Sequence, residues 1–591
     1  MADSHVPAVA PGAGEPGAGE LGAEVPVTAT ATFCATLVDE WIRAGITDAV
    51  VAPGSRSTPL ALALATRPEL RLHVFHDERS ASFAALGLGR ATGRPAVLLC
   101  TSGTAAAEFH AAVVEAHQAG VPMVVCTADR PPELRDRGAA QTIDQTRLFG
   151  PTVRWYADPG VPEMAVAGTW RALGARLVAD AVGPTPGPVH LNCPFRDPLV
   201  GRPGPLPVGR AGGAPWVRSL CNAGVPSGRD LAELVAALDR PRGVIVAGLG
   251  AGLPDAVHDL AVAAGWPVLA DPRSGCRLPR HSTVAHADGL LRHGRFAADH
   301  RPEVVLRLGA PHASKVLNQW LAGSGALQVQ VTADASWIDP DHTAAWRVVA
   351  DPTEFCRTLT GQLAGGTRTP WATRWRSADR LAADVLAGRL DEVGPLSEPG
   401  VARRLAAALP QGSALVVSSS MPIRDLEWFA ASRDGLRVHA NRGANGIDGV
   451  VSSAVGVALA GAPTALLIGD VALLHDANGL LGLADRDVSL TVVVVDNDGG
   501  GIFHFLPQHG ALPTERFEQL YGTPHGIDAV ALATVHGIEA VPVGSAVEFD
   551  DHLRRAGDRG VRLLHVRTDR RANVAVHAAL NDAIAAALDR R

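Results

Sequence analysis

The chain has no Cys-x-x-Cys pair among its seven cysteines and no lysine or arginine before Arg43. It also has no purely apolar run of about 18 residues, the length a membrane-spanning helix needs. Each absence excludes something. An odd number of unpaired thiols argues against a disulfide framework and fits buried side chains in a reducing compartment, so a cytoplasmic setting is expected. Cys100 and Cys126 lie inside the apolar runs "PAVLLC" and "VPMVVCTA", as that reading requires. The nearest candidate for a membrane span, Ala454 to Gly469, is rich in Ala and Gly and broken by Pro463. Without early basic residues the N-terminus does not read as a secretory leader. Positive charge is scarce as well. A net charge of −7 and a pI near 6.3 recommend neither nucleic acid nor an anionic membrane as partner.

What is present describes a globular, loop-rich α/β protein: 591 residues, 47% apolar, with 63 glycines and 43 prolines. Residues 1–28 are Ala/Gly/Pro/Glu-rich and read as a disordered tail. From Phe33 onward, helix-like and strand-like stretches alternate. The strand-like runs end in polar clusters: "PGSRS", "HDE", "TSGT" and "DRPPEL". Such alternation predicts doubly wound parallel sheets, whose ligands bind beyond the carboxyl ends of the strands. The Pro/Gly-rich stretch Leu199 to Pro215 reads as a linker, and a weaker boundary lies near 365–395. The expectation is three such domains, at 29–200, 215–370 and 395–591.

The outer two resemble each other. "ALGLGRATGRPAVLLCTSG" (Ala85 to Gly103) lines up with "AVGVALAGAPTALLIGDV" (Ala454 to Val471) after one gap. The alignment suggests two related sheets facing each other around one ligand.

In the last domain, "TALLI" ends in Gly469-Asp470 and "LTVVVV" ends in Asp496-Asn497-Asp498-Gly499. Adjacent strand ends would bring Asp470 and Asn497 together. A carboxylate, an amide oxygen and the Gly499 carbonyl are hard oxygen ligands that suit Mg²⁺ or Mn²⁺, with positions left for phosphate and water. Four arginines sit at strand-to-helix transitions on the ligand side: Arg56, Arg130, Arg424 and Arg442. Arginine forms bidentate contacts with carboxylates, so the four together point to polyanionic small-molecule substrates.

The Gly-Asp…Asn segment resembles the metal-diphosphate motif of the thiamin-diphosphate enzymes. Val471 departs from the common Gly, and Asp496-Asn497 from the common Asn-Asn, but no ligand is lost. That resemblance implies pyrimidine-binding, central and diphosphate-binding domains, with thiamin diphosphate and Mg²⁺ or Mn²⁺ as cofactors. It also implies an activating carboxylate on the aminopyrimidine, matched by Glu78 in "HDER"; as plain sequence Glu78 equally reads as a helix N-terminal acid. The strings "APGSRSTPL", "HDER", "TSGTA", "TADRPPEL", "HLNCPF", "NRGANGIDG" and "DNDGGGIF" resemble the menaquinone-pathway branch of the superfamily.

That branch implies decarboxylation of 2-oxoglutarate and 1,4-addition of the resulting carbanion to isochorismate. By the same resemblance Ser55, Arg56, Arg130 and Gln141 face isochorismate. Ser420, Arg424 and Arg442 meet the decarboxylated fragment, with Met421 beside them on the cofactor. Ile447 is the apolar wedge under the cofactor, and Ile502, Phe503 and Leu506 cover its thiazolium; these four read equally as core packing. Lys315 resembles a basic residue sent in by the central domain, or is a solvated helix lysine, and Val316 stands where a second basic residue is common. The resemblance further implies a homodimer or dimer of dimers with sites between chains. Another thiamin-diphosphate decarboxylase or an acetolactate-synthase-like ligase is the alternative.

Overall fold

The computed structural model describes residues 25–220, 224–363, 370–391 and 396–590. Residues 1–24 of the stretch read as a disordered tail lie outside the described residues. The chain is already tied down at Val27, which bridges to Arg202, and at Thr28. The Thr28 hydroxyl accepts from Ala31 N–H at 3.1 Å and caps the helix Ala29–Arg43, supplying one of the partners that a helix N-terminus lacks. Around the weaker boundary, residues 364–369 and 392–395 lie outside the described residues, and the helix Trp371–Leu390 stands between them.

Three six-stranded, all-parallel sheets follow one another, each between helices. In spatial order the first runs Arg71–Val74, Asp48–Val51, Ala96–Cys100, Met123–Asp129, Pro188–Pro194, Tyr156–Ala157. The third runs Arg437–His439, Ala414–Val417, Thr464–Gly469, Ser489–Asp496, Gly560–Arg567, Glu539–Pro542. Numbered from their own first strands, both are ordered 2-1-3-4-6-5, whereas the middle sheet is ordered 3-2-1-4-5-6. The outer sheets thus share a topology, as their matching sequences suggest. Their central strands are buried throughout, from Ala96 to Cys100 and from Leu490 to Asp496. Parallel strands covered on both faces read in this way, as unbroken apolar runs.

The two outer domains share one core. The helix Glu78–Thr92 lies against the helix Val450–Leu459, and Phe83, Ala84, Val451, Ala454 and Val455 belong to a single apolar cluster. Gly87 and Gly456, which the sequence alignment pairs, meet at the crossing. A Cβ on Gly87 would lie 2.1 Å from the Ser453 carbonyl, and one on Gly456 2.1 Å from that of Ala84. Only glycine lets the backbones come so close.

The middle domain docks on the third through buried hydrogen bonds. Arg277 donates to the Glu427 carbonyl at 2.8 Å, and Ser314 N–H to the Glu427 carboxylate at 3.2 Å. Among the described residues, no helix is long and apolar enough to cross a membrane.

Candidate active site

Parallel pairing in the third sheet sets Gly469 against Val495, so the residues that follow, Asp470 and Asp496-Asn497, leave the sheet side by side. Beyond these strand ends lies a cavity of about 430 Å³. Asp470, Asn497 and Gly499 line it, as do Ser420, Met421, Arg424, Arg442 and Ile447. Ile502, Phe503 and Leu506 add an apolar wall.

Asp470 is buried and its pKa is raised by that burial. Its Oδ1 accepts from Val471 N–H at 2.8 Å, and its Oδ2 from Gly499 N–H at 2.7 Å. His525 Nε2 lies 3.1 Å from the same Oδ2. Because His525 Nδ1 accepts from Ile527 N–H at 3.0 Å, the ring proton of the neutral tautomer sits on Nε2 and points at Asp470. Asp470, Asp496 and His525 bring one ligand atom each to within 4.8 Å of one another.

Asn497 Nδ2 donates to Glu398 Oε1 at 2.9 Å, while its Oδ1 is buried without a partner among the described residues. A buried amide oxygen with no protein partner, in the same cavity as a buried carboxylate, is a donor set that suits a hard cation. The residues present therefore fit Mg²⁺ or Mn²⁺. The turn that follows has no room for side chains. Gly499 has φ of 138°, and a Cβ there would lie 1.9 Å from the Gly522 carbonyl; at Gly500 it would lie 2.1 Å from that of Tyr521.

The cationic side of the cavity is as marked. Arg442 makes no hydrogen bond or ion pair among the described residues, and burial beside Arg273 and Arg424 lowers its pKa to about 10. Arg424 donates to the Ser420 carbonyl, and burial lowers its pKa. Ser420 holds φ of 75° and ψ of −133° at the start of the helix Met421–Phe429, a region of backbone space that a side chain disfavours. Gly103, which follows the third strand of the first sheet, holds a similar pair of angles, with φ of 85° and ψ of −142°.

The remaining sequence-predicted residues collect elsewhere. Arg56 donates to the Phe195 carbonyl at 3.0 Å and pairs with Asp197 at 3.3 Å. Ser102 joins two others: Arg130 donates to its hydroxyl, and Gln141 Nε2 to its carbonyl at 3.1 Å. Burial and the nearby charge of Arg56 lower the Arg130 pKa. Ser55 is exposed in the same loop. Glu78 is the first residue of its helix, capped by Asp77, whose Oδ1 accepts from Ser80 N–H at 2.8 Å. Lys315 is exposed at the start of the helix Lys315–Ala322. None of these six lines the cavity. The four arginines expected around one cleft thus form two pairs in a single chain, one at the strand ends of each outer sheet.

Sequence reasoning missed Glu398, Asn445 and His525. Glu398 and Asn445 line the cavity, and burial next to Asp425 raises the Glu398 pKa to about 7. Its segment, "PLSEPG", reads from sequence only as a domain boundary, and a lone His525 in "TPHGID" carries no spacing signal.

Three family models cover most of the described chain: the thiamine pyrophosphate enzyme N-terminal TPP binding domain at residues 32–148, the middle domain at 213–417 and the C-terminal TPP binding domain at 427–566. The chain is similar to 2-succinyl-5-enolpyruvyl-6-hydroxy-3-cyclohexene-1-carboxylate synthases from several organisms. It is 43% identical to that of Chloroflexus aurantiacus, over 90% of this chain and 92% of the relative. With that of Myxococcus xanthus it shares 45% identity over 93% and 97%, and with that of Thermobifida fusca 45% over 93% and 98%. The chain belongs to the 2-succinyl-5-enolpyruvyl-6-hydroxy-3-cyclohexene-1-carboxylate synthase family of thiamin-diphosphate-dependent enzymes.

Proposed function

We propose that the protein decarboxylates 2-oxoglutarate and adds the four-carbon fragment to isochorismate in a 1,4-addition, releasing CO₂ and forming 2-succinyl-5-enolpyruvyl-6-hydroxy-3-cyclohexene-1-carboxylate. The observation that carries this reading is one cavity lined by Asp470, by Asn497 with its orphaned Oδ1, and by Arg442, which has no hydrogen-bond or ion-pair partner among the described residues. The acid and amide suit a metal diphosphate, and the arginine suits a carboxylate.

Bound thiamin diphosphate supplies the electron sink for loss of CO₂. Asp470, Asn497 and the Gly499 backbone hold the divalent ion, Mg²⁺ or Mn²⁺. Ile447, Ile502 and Phe503 keep water from the reacting carbon, where a dry wall favours loss of charge. Arg424 and Arg442 bind the distal carboxylate, with Ser420 and Met421 between them and the cofactor. Leu506 closes the side on which the acceptor enters.

Glu78 does not line this cavity, so the reading requires a second copy of the chain. Its first domain brings Glu78 to the aminopyrimidine, and Ser55, Arg56, Arg130 and Gln141 to isochorismate. Lys315 reaches the same substrate from the middle domain. A cytoplasmic setting suits the buried, unpaired cysteines.

Purified protein with Mg²⁺, thiamin diphosphate, 2-oxoglutarate and isochorismate should give the adduct, detected by mass spectrometry. Consumption of pyruvate with no isochorismate adduct would favour an acetolactate-synthase-like activity instead. Glu78→Gln and Asn497→Ala should each be inactive alone. Co-expressed, they should recover roughly a quarter of wild-type activity, because half of randomly paired dimers are hybrids with one intact site; no recovery would refute a site shared between copies.

A further inference from the structure

The loop from Asn441 to Gly449 presents Arg442, Asn445 and Ile447 to the cavity; its own domain holds Asn441, through Ser419 and Ser453, but the two residues after Arg442 are held from another domain. Glu115 lies on the helix His110–Ala119 of the first domain and is 3% exposed. Its Oε1 accepts from Gly443 N–H at 2.9 Å, and its Oε2 from Ala444 N–H at 2.6 Å. Arg90 Nη2 donates to Oε1 at 3.0 Å and balances the charge. Gly443 is pressed onto the same helix, where a Cβ would lie 2.7 Å from the Glu115 carbonyl and 2.9 Å from Ala119 N.

We infer that Glu115, held by Arg90, is a positioning residue that sets the loop carrying Arg442 and Ile447, so the first domain shapes the cavity of its own chain. A carboxylate spanning two consecutive amides fixes both the height and the tilt of a loop, and charge-assisted bonds of this kind are the strong ones. The residues that flank the clamp, Arg442 on one side and Ile447 on the other, are those the proposed function assigns to the carboxylate and the cofactor wedge; the kinetic part of the inference rests on that reading.

Glu115→Gln replaces one acceptor oxygen with an NH₂ that opposes an N–H. Gly443→Ala lifts the loop while leaving the carboxylate in place, and it decides the matter should the first variant fail to fold. In both, hydrogen–deuterium exchange at residues 441–449 should quicken, and the KM for 2-oxoglutarate should rise about tenfold, the scale of a small misplacement. Mn²⁺ affinity, read by electron paramagnetic resonance, should match wild type. Unchanged exchange overturns the clamp whatever the substrate. Faster exchange with unaltered KM, or with Mn²⁺ affinity and every kinetic constant falling together with thermal stability, overturns the positioning role. A wild-type protein that leaves 2-oxoglutarate intact refutes the proposed function instead, and the exchange result still tests the clamp.

Discussion

Glu398 Oε1 accepts from Asn497 Nδ2 at 2.9 Å and from Thr568 Oγ1 at 3.0 Å. In its ionised form the Glu398 carboxylate only accepts, so this contact decides which way the carboxamide faces and leaves Oδ1 as the free ligand atom. Outer partners of this kind orient metal ligands and tune affinity by roughly tenfold or more. Glu398→Ala should therefore weaken Mn²⁺ binding about tenfold. Electron paramagnetic titration of the variant checks this; an affinity equal to wild type would show that the amide needs no outer support.

Ser420 holds φ of 75° and ψ of −133°, a conformation its side chain disfavours. Strain of this type costs on the order of 1–3 kcal/mol. Ser420→Gly should raise the melting temperature by about one degree, equivalent to about 1 kcal/mol, and lower kcat/KM. Calorimetry together with steady-state kinetics separates the two effects. A variant that is both more stable and fully active would remove any reason to assign Ser420 to the site.

Burial lowers the pKa of His190 to about 3 and that of His439 to about 4. Both rings are neutral in the fold, whereas the unfolded chain takes up protons below about pH 6.5. Protons therefore favour the unfolded state. The stabilisation is complete above about pH 6.5 and falls by about 1.4 kcal/mol per histidine for each pH unit below it. Urea unfolding between pH 7.5 and 5 should show the decline, and His190→Gln should be shallower by one proton. Parallel profiles for the two proteins would contradict a neutral His190.

Features set by local periodicity were legible in the sequence. Unbroken apolar runs such as "LTVVVV" can only be strands covered on both faces, and the Gly-Asp and Asn-Asp-Gly ends mark where those strands stop. Asp470, Asn497, Arg424 and Arg442 consequently meet in one cavity. What escaped notice depends on contacts between distant segments. Glu398 reaches Asn497 from 99 positions earlier in the chain, and Glu115 clamps a loop more than 300 positions away. Neither leaves a periodic trace. The expected convergence of Arg56 and Arg130 with Arg424 and Arg442 is not met within the chain, where only the latter two line the cavity.

Gly87 and Gly456 have a consequence for how the enzyme moves. With a carbonyl of the opposite helix occupying the space where either Cβ would stand, that seam has no slack to slide or hinge, and the two outer sheets travel as one block. Relative movement of the domains is then left to the boundary where this block meets the middle domain.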